Sequence, residues 1–459
     1  MADSFETFKA SIIALSVAKK YATLREMLST MNASDIAYLF EELEEVYVTR
    51  LFRLLPKELA ADTFVEMDAD TQELLIKGFS DNELKEVIDE LYVDDAVDLV
   101  EEMPANVVTR ILMQADAEKR NMINEILRYP EDSAGSIMTT EYVELRPKMT
   151  AEDAITQIRR SGIEKETINT CYITSKKREL IGVVNIRQLI MAQSEVTMEE
   201  IMNDNVLSVK TTDDQELVAQ QFSHYNLIAM PVVDNENRLV GIVTVDDVLD
   251  VIQEETTEDI EKMAAIVPQD KPYLKQSIFE LWKSRMPWLL LLMISATFTG
   301  SIINGFENAL QKFTILTGYI PMLMDTGGNS GSQASVTVIR GISLKEVDFE
   351  DLVKVIWKEI RVALLCGLTL ACANFVKLLT IDKYILGLNG ITVSVALTLC
   401  LTLLITIACA KIVGCTLPLF AYKIGFDPAV MASPFITTIV DAISLLVYFK
   451  MASLILGIG

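Results

Sequence analysis

The chain is poor in the residues that build transition-metal centres and disulfide frameworks. It contains one histidine, His224, and six cysteines, which lie mostly in apolar segments and show no metal-ligand or disulfide spacing. Zinc and iron sites are built mainly from imidazole and thiolate ligands, so we expect neither metal. The sequence also lacks a His-Glu-x-x-His motif, an evident nucleophile and a phosphate-binding loop, which predicts that the protein is not an enzyme.

Acidic residues are in large excess, and the apolar sequence is concentrated elsewhere. Asp and Glu number 65 against 40 Lys and Arg, giving a formal net charge of −25, although 51 % of all residues are hydrophobic. Most of the acid lies in roughly the first 280 of the 459 residues, and the remainder is largely apolar. This balance argues against nucleic acid as a partner and favours cations. Met1–Glu6 lacks a basic start and an apolar run, so we expect the N-terminal part to stay in the cytosol.

Two internal repeats organise the acidic part. In residues 1–130, Leu54–Asp68 loosely recurs as Leu91–Pro104, which predicts an all-α domain of stacked short helices. Residues 131–252 contain a longer unit twice in register, each reading strand, helix, strand, turn, strand and helix. This second repeat resembles a tandem pair of CBS modules, an α/β regulatory unit.

The residues after the last strand of each CBS-like module bear on nucleotide binding. Many CBS modules bind adenine nucleotides through a Thr-x-x-Asp step, and the second module has Thr244 and Asp247 at these positions. The first module reads Asn185-Ile-Arg-Gln188 and lacks the carboxylate. The resemblance therefore assigns ATP, if it binds, to Thr244 and Asp247, and the missing carboxylate argues against it.

Residues 253–283 read as a charged connecting helix, and residues 284–459 as an all-α membrane domain. Five apolar spans are long enough to cross a bilayer, for which a helix needs about 20 residues: 286–307, 314–339, 352–376, 389–417 and 428–455. Basic residues beside the spans, including Arg340, Lys411 and Lys423, mark one cytosolic side by the positive-inside rule. We therefore expect a multi-pass protein of the cell (inner) membrane, with the N-terminus in the cytoplasm and the C-terminus outside.

The last span carries an aspartate, Asp441, near its middle. A carboxylate inside a bilayer is costly unless it meets water, a partner or an ion, so this residue marks a candidate site. Ser433, Thr437, Thr438 and Ser444 fall on or beside the same helical face and make it polar. The alternative is that Asp441 only bonds a neighbouring helix as a packing contact.

The second span carries four further polar residues on one helical face: Asp325, Asn329, Ser332 and Gln333. They accompany a Gly-x-x-x-Gly pattern, and close packing of helices is the alternative explanation for this segment. Oxygen ligands without nitrogen or sulfur suit hard cations such as Mg²⁺. A ring of carboxylates needs at least two copies of Asp441, so we expect a homodimer with a central pore in the lipid bilayer.

Taken together, these segments resemble the MgtE family of bacterial magnesium channels. The resemblance covers the whole chain, and its distinctive motifs are Gly327-Gly-Asn-x-Gly-x-Gln333 and the helix from Pro434 to Asp441. It implies that Asp441 holds a hydrated ion in the pore of a dimer. The pore lining would comprise Asp325, Asn329, Ser332, Gln333, Ser433 and Thr437. Family members often carry Asn where this chain has Ser332 and Ser433, and Asp325 is an extra acid that we interpret as a second ion site.

The resemblance also implies regulatory Mg²⁺ sites in the cytosolic part. In this family, excess cytosolic Mg²⁺ bridges acidic residues and closes the pore. The matching residues lie in the N domain, the second CBS module, the connecting helix and the mouth of the last span: Asp94, Asp95, Asp98, Asp213, Asp214, Glu216, Asp247, Asp250, Glu255, Glu258, Asp259 and Asp427. Carboxylates that repel one another without metal are bridged by divalent ions, so such a cluster closes only above a threshold concentration.

We therefore interpret the sequence as a passive channel that takes up Mg²⁺ and is closed by cytosolic Mg²⁺. Two alternatives stay open: an Mn²⁺ or Co²⁺ transporter on the same scaffold, and a CBS-gated membrane sensor that conducts nothing. A channel should lose transport on Asp441→Ala and still dimerise, whereas a sensor should be indifferent to that change.

Overall fold

The computed structural model describes residues 2–162, 165–269, 271, 273–306, 311, 313–388, 390–431 and 433–457. It divides into two compact units, Met1–Ile252 and Gln253–Gly459, and each contains a hydrophobic core of its own. The first unit is the acidic part of the chain and the second is the apolar part. The segregation of charge along the sequence is therefore also a division of the structure.

The first unit begins with a stack of short helices. Those among the described residues are α1 (Ala2–Val17), α2 (Tyr21–Leu28), α3 (Ala33–Glu41), α4 (Glu45–Phe52), α5 (Lys57–Val65), α6 (Ala69–Gly78), α7 (Asp81–Glu90), α8 (Val93–Glu102), α9 (Ala105–Gln114) and α10 (Ala117–Ile126). Helix α3 packs on α5, α5 on α7 and α7 on α9, while α4 packs on α6 and α8 on α10. Packing on the next helix but one is typical of a helical repeat, so the predicted all-α N domain is confirmed.

Two three-stranded sheets of the same topology follow in the first unit. The first sheet contains β1 (Val143–Leu145), β2 (Thr170–Thr174) and β3 (Leu180–Asn185), and the second contains β4 (Val209–Lys210), β5 (Ala229–Val233) and β6 (Leu239–Thr244). In each, the first strand is parallel to the second and the second is antiparallel to the third. Their helices are α11 (Ala151–Ser161), α12 (Ile186–Met191), α13 (Met198–Ile201) and α14 (Gln215–Tyr225). The repeated topology confirms the α/β tandem pair.

The last strand, β6, continues directly into helix α15 (Val245–Met263). The sequence analysis starts the connecting segment at residue 253. The helix that contains this residue, α15, begins eight residues earlier, at Val245. The reason is local, because no glycine or proline interrupts residues 245–253. Thr244 and Asp247 therefore lie at the start of the element that also carries the acidic residues of the connecting segment.

The second unit is all-α. Its long described helices are α16 (Ile278–Gly305), α17 (Ile320–Ser343), α18 (Leu352–Lys377), α19 (Val393–Lys423) and α20 (Ser433–Leu456). Short 3₁₀ turns at Thr314–Tyr319, Phe349–Asp351 and Pro428–Met431 precede three of them, and a π-helical segment, Leu378–Ile385, extends α18. A capping box of Ser277 and Glu280 starts α16, which runs through Pro287 without a break. The last residues of the connecting segment, 278–283, and the first apolar span therefore form one helix.

Among the described residues, four helical stretches are long and apolar enough to cross a membrane: Ile278–Gly305, Phe349–Ile385, Val393–Lys423 and Pro428–Leu456. Leu290, Met293 and Phe298 of α16 are largely exposed within a single chain, as lipid-facing side chains would be. Helix α17 covers most of the second predicted span, 314–339, and packs against both α19 and α20. It is not among the four stretches, because its glycines and polar side chains lower its hydropathy.

Helix α17 approaches its neighbours through glycines. A Cβ atom added to Gly414 of α19 would lie 2.2 Å from the carbonyl oxygen of Gly331, and one added to Gly331 would lie 2.8 Å from Cγ2 of Ile436. A Cβ on Gly327 would meet Ser444 Oγ at 2.8 Å. The glycine pattern therefore serves close helix packing, and the same helix presents its polar residues on another face.

We expect Gly414→Ala to destabilise the second unit by about 1–3 kcal/mol or more, because the added methyl group meets rigid backbone. Gly300→Ala is the matched control, since a Cβ at this glycine of α16 has no atom within 4 Å. The control should be neutral or slightly stabilising, because alanine is the better helix former. Thermal unfolding of the full-length protein in detergent measures both, and equal melting temperatures would contradict the packing argument.

Candidate ion pathway and acidic cluster

Helix α17 presents a polar face within a single chain. Asp325, Asn329 and Gln333 follow one another at intervals of four residues and are all exposed. The Asn329 side-chain amide donates a hydrogen bond to Oδ1 of Asp325 at 3.1 Å. The opposite face of the helix is buried through its glycines, so helix packing orients the polar residues outward.

Asp441 lies on α20 and is half-buried. Its carboxylate is within electrostatic range of Asp325. The hydroxyls of Thr437 and Thr438 donate to the carbonyl oxygen of Pro434 at 2.9 and 3.0 Å. Each threonine therefore keeps its oxygen lone pairs as acceptors. The structure thus brings together the carboxylates of two helices that the sequence analysis assigns to the pore.

Ser444 and Ser433 are the other two polar residues that the sequence analysis places on or beside the helical face of Asp441. Ser444 is 1 % exposed and donates to the carbonyl oxygen of Val440 at 2.6 Å. It packs beside Gly327, so it is a packing residue and the polar face of α20 is narrower than predicted. The side chain of Ser433 lies outside the described residues.

Beside the polar face of α17 lies a pocket of about 780 Å³ that is widely open at the surface of the single chain, and we call it the polar chamber. Its polar lining residues are Asn329, Ser332, Gln333, Thr337, Glu359 and Lys411. The Lys411 ammonium lies 3.4 Å from Oε2 of Glu359, and the two side chains are 6 % and 14 % exposed. The sequence analysis uses Lys411 as a marker of the cytosolic loop before the last span. That interpretation is wrong, because Lys411 lies inside α19 and is buried against α18.

A second group of charges lies around α15 within the second unit. The Lys262 ammonium lies 2.6 Å from Oε1 of Glu258 and 2.7 Å from Oδ2 of Asp427. Burial and then the Asp427 carboxylate raise the pKa of Asp259. The structure therefore groups Glu258, Asp259 and Asp427, and Glu255 lies on the same helix. An ammonium group bridges two of the carboxylates that the family resemblance assigns to a divalent ion.

A third group lies within the first unit, where α8 meets the CBS pair. We call it the acidic cluster: Asp94, Asp95, Asp98, Glu141, Glu166, Asp246 and Asp247. The backbone N–H of Val93 donates to Glu141 Oε2 at 3.2 Å and connects the two parts. Asp94 is 6 % exposed, and its Oδ1 has no hydrogen-bond partner among the described residues. A buried oxygen of this kind is costly without a donor or a cation.

Several carboxylates of the acidic cluster have raised pKa values, and burial is the largest cause for each of them. Burial and then the charge of Asp247 raise the pKa of Asp94 well above its ordinary value. Burial and then Asp246 raise the pKa of Glu166 to about 8. Burial also raises the pKa of Asp95 to about 6, against the hydrogen bond from the Tyr92 backbone. A divalent cation would relieve this repulsion and favour the ionised forms.

The remaining predicted regulatory residues lie elsewhere or have local partners. Asp213 accepts from the backbone N–H of Lys210, and Asp214 caps α14 by accepting from the N–H of Glu216. Burial and then Glu66 raise the pKa of Asp250, which places Asp250 beside a further acid of the N domain. Thr244 donates to Oδ2 of Asp247 at 2.6 Å. This bond places the Thr-x-x-Asp step at the edge of the acidic cluster.

The sequence analysis missed Glu141, Glu166 and Glu359. Glu141 and Glu166 lie beside strands of the first CBS module, and no spacing rule links them to α8. Glu359 did carry a signal, because it is an acid inside a predicted membrane span. Among the described residues, no three His, Cys, Asp or Glu side chains are arranged as a direct metal site. A cation held here would keep part of its water shell, as Mg²⁺ commonly does.

The acidic cluster makes the stability of the first unit depend on pH. A carboxyl group whose pKa is raised by folding stabilises the fold fully below its unfolded pKa of about 4, and this contribution is lost as the pH rises through its folded pKa. For Asp95 and Glu166 the loss falls between about pH 4 and 8. Without divalent ions, we expect a fragment of residues 1–263 to melt roughly 5–10 °C lower at pH 8 than at pH 5.5.

Scanning calorimetry with and without a chelator measures this effect. Added Mg²⁺ should raise the melting temperature far more at pH 8 than at pH 5.5, because only the ionised cluster binds it well. A melting temperature that rises with pH in the chelator would contradict the raised pKa values.

Comparisons with known proteins agree with this architecture. The family model described as a divalent cation transporter matches residues 320–451, the MgtE intracellular N domain matches 31–132, and CBS domains match 134–195 and 198–254. The magnesium transporter MgtE of Thermus thermophilus is 36 % identical over 94 % of this chain and 95 % of its own length. The MgtE of Bacillus subtilis is 32 % identical over 95 % of this chain and 94 % of its own length.

A solved structure extends the comparison to the fold of the acidic part. A crystal structure of the soluble part of a magnesium transporter is 29 % identical, covers 55 % of this chain and 99 % of that one, and superposes with a TM-score of 0.51. These relatives are transporters and not enzymes, as the missing catalytic motifs predict. The chain belongs to the MgtE family of magnesium transporters, membrane proteins that carry a regulatory CBS pair.

Proposed function

We propose that the protein is a homodimeric Mg²⁺ channel that mediates passive uptake and is closed by cytosolic Mg²⁺. Its parts would be an N domain (1–130), a CBS pair (131–252), a connecting segment (253–283) and a five-span membrane domain (284–459). The N-terminus would face the cytoplasm and the C-terminus the outside. The observation that supports a pore best is the half-buried Asp441 within electrostatic range of Asp325. Two carboxylates of like charge in an apolar unit favour a cation between or beside them.

The surface that a single chain exposes supports the proposed dimer. Asp325, Asn329 and Gln333 are exposed on α17, which lies among mostly apolar helices. Such groups are not stable against lipid and require water or protein. A second copy facing this surface would enclose a polar pore with one Asp441 from each chain. Each carboxylate and its polar neighbours would contact the hydration shell of the ion, which Mg²⁺ gives up reluctantly.

Closure by cytosolic Mg²⁺ would use the acidic cluster and the charges around α15. In the acidic cluster, burial and then the charges of neighbouring carboxylates raise the pKa values of Asp94 and Glu166, and a divalent cation would relieve the repulsion among these charges. The cation would therefore stabilise the arrangement in which these carboxylates are close together. Around α15, Mg²⁺ would bridge Glu258, Asp259 and Asp427, in competition with Lys262.

Uptake into proteoliposomes that contain a Mg²⁺-sensitive dye tests this proposal. Wild-type protein should take up Mg²⁺ when internal Mg²⁺ is low and stop as it rises. Mn²⁺ or Co²⁺ carried in preference to Mg²⁺ would favour the alternative transporter. A folded protein that carries no divalent ion under any condition would favour the sensor. A measurement of the molecular mass of the protein in detergent tests the dimer, and we expect the mass of two chains.

Asp325→Asn tests the interpretation of Asp325 as a second ion site. We expect uptake to need roughly three- to tenfold more external Mg²⁺, because one of two neighbouring charges is removed. The hydrogen bond that Asn329 donates to this side chain can persist to the amide oxygen. Unchanged uptake and unchanged block by divalent ions would show that Asp325 is not an ion site.

Nucleotide binding at Thr244 and Asp247 stays a prediction, and the acidic cluster restricts it. A triphosphate placed beside Asp247 would face several carboxylates, including Asp246 and Glu166. We therefore propose that ATP binds there only as its Mg²⁺ complex. Calorimetric titration of ATP with and without Mg²⁺ measures this, and equal affinity in both conditions would contradict it.

A further inference from the structure

The polar chamber contains a buried pair of charges that the proposed pore does not use. Lys411 of α19 and Glu359 of α18 lie 3.4 Å apart and are 6 % and 14 % exposed. Both helices have the length and composition of membrane spans. Ionised side chains at such positions are rare, and they commonly mark ion or substrate pathways. The pair therefore requires an explanation beyond packing.

The pair is loosely held. Tight charge-assisted hydrogen bonds between an ammonium and a carboxylate span about 2.7–2.9 Å. The separation of 3.4 Å between Lys411 Nζ and Glu359 Oε2 is longer than that. A salt bridge that only stabilised the packing of the two helices would favour a shorter distance, because the attraction between opposite charges becomes stronger as they approach. The chamber instead leaves both charges beside a polar space.

The polar chamber also shares a residue with the polar face of α17. Asn329 lines the chamber and donates its hydrogen bond to Asp325. Asp325 in turn lies within electrostatic range of Asp441. The chamber therefore borders the polar face of α17, and Asn329 belongs to both. Ser332, Gln333 and Thr337 supply further oxygen atoms along the chamber wall.

We propose that Glu359 forms a further position for a hydrated divalent cation in the transport pathway, beyond Asp441 and Asp325, and that Lys411 is a tethered counter-charge that prevents the cation from being trapped there. This inference rests on the proposed channel function. A chamber of about 780 Å³ has room for an ion with its water molecules. Amide and hydroxyl oxygens beside one carboxylate suit the water shell of Mg²⁺.

The counter-charge has a physical purpose. A lone carboxylate in a poorly screened site attracts a divalent cation strongly, and conduction requires that the ion can also leave. With Lys411 present, the empty position is neutral overall. An arriving divalent cation competes with the ammonium for Glu359, and the ammonium returns when the ion departs. Lys411 thereby lowers the affinity of the position without removing its ligand.

Three variants of the full-length protein test the proposal by uptake at low internal Mg²⁺ over a range of external Mg²⁺. Lys411→Met should lower the half-saturating concentration about tenfold and also lower the maximal rate, because the ion leaves slowly. Glu359→Gln should reduce uptake about tenfold, because the ammonium is left unpaired in a cation pathway. Lys354→Met is the matched control, since this lysine is 83 % exposed in the same unit. It should behave as wild type.

The double variant Glu359→Gln with Lys411→Met keeps the proposal testable if the single variants fold poorly. It leaves no unpaired buried charge, so it should fold. Its half-saturating concentration should rise about threefold or more, because a ligand has been lost. A folded double variant with the wild-type concentration dependence would overturn the inference and identify the pair as structural. So would a folded Lys411→Met protein with unchanged half-saturation.

Asp441→Asn separates this inference from the channel proposal. If uptake requires Asp441 but does not change when Glu359 and Lys411 are replaced, the inference about the chamber fails and the channel proposal stands. If wild-type protein takes up no divalent cation, the channel proposal fails, and the proposed cation position at Glu359 fails with it.

Discussion

Asp441→Asn is expected to reduce Mg²⁺ uptake by at least about tenfold while leaving the protein folded. Asparagine has nearly the same shape as aspartate, so the packing of α20 beside α17 should persist. What is lost is the negative charge that attracts the hydrated ion at mid-membrane. A loss of about 1.4 kcal/mol of binding free energy lowers the affinity for the ion tenfold. The attraction between a divalent cation and a nearby carboxylate is larger than this.

The matched control is Glu346→Gln, which removes one negative charge from an exposed residue between α17 and α18. It should change uptake little, because exposed charges are screened by solvent and salt. Melting temperatures in detergent should be similar for both variants and wild type. If folded Asp441→Asn protein transports Mg²⁺ at the wild-type rate, Asp441 is a packing residue and the pore must lie elsewhere.

Neutralising the acidic cluster is expected to produce a channel that cytosolic Mg²⁺ no longer closes. In the double variant Asp94→Asn with Asp247→Asn, the buried side chains keep their shape but cease to repel each other. Without that repulsion, Mg²⁺ has little differential affinity for the closed arrangement, and a ligand without differential affinity shifts no equilibrium. Uptake should continue at internal Mg²⁺ concentrations that stop the wild-type protein.

The same double variant should also be more stable than wild type when divalent ions are absent. Its fragment of residues 1–263 should melt higher in chelator at pH 8, since two buried like charges have been removed. Added Mg²⁺ should then raise the melting temperature by less than in wild type. A matched control replaces two exposed acids, Glu26 and Glu90, by glutamine. If the control and the cluster variant behave alike, net charge and not the cluster controls closure.

Local sequence patterns predict much of this fold, and contacts between distant residues account for the corrections. The CBS pair was predictable because the same strand and helix pattern occurs twice, and the two sheets have the same topology. The boundary at residue 253 stays a prediction. The last helix of the CBS pair and the start of the connecting segment form one helix, α15, because no glycine or proline interrupts the sequence between them.

The interpretation of Lys411 failed for a different reason. A lysine in an apolar run resembles a residue at the edge of a span, and hydropathy cannot show a partner that is 52 residues away in the chain. Glu141 and Glu166 were missed on similar grounds, since only the folded first unit brings them beside α8. Conversely, the close packing at the glycine motif of α17 was predictable from sequence, because a glycine pair inside an apolar span is unusual in itself. The role of Asp441 stays a prediction.

The position of Lys262 between Glu258 and Asp427 has a consequence for ionic selectivity in the cell. An ammonium attached to the same helix as one of its partners is present at a high effective concentration, of millimolar order or above for short connections. Potassium carries the same single charge without that advantage, so it should displace the lysine poorly. A divalent cation gains twice the Coulomb energy at the same distance and can compete. The lysine would therefore make closure insensitive to the abundant monovalent ions while leaving it responsive to Mg²⁺.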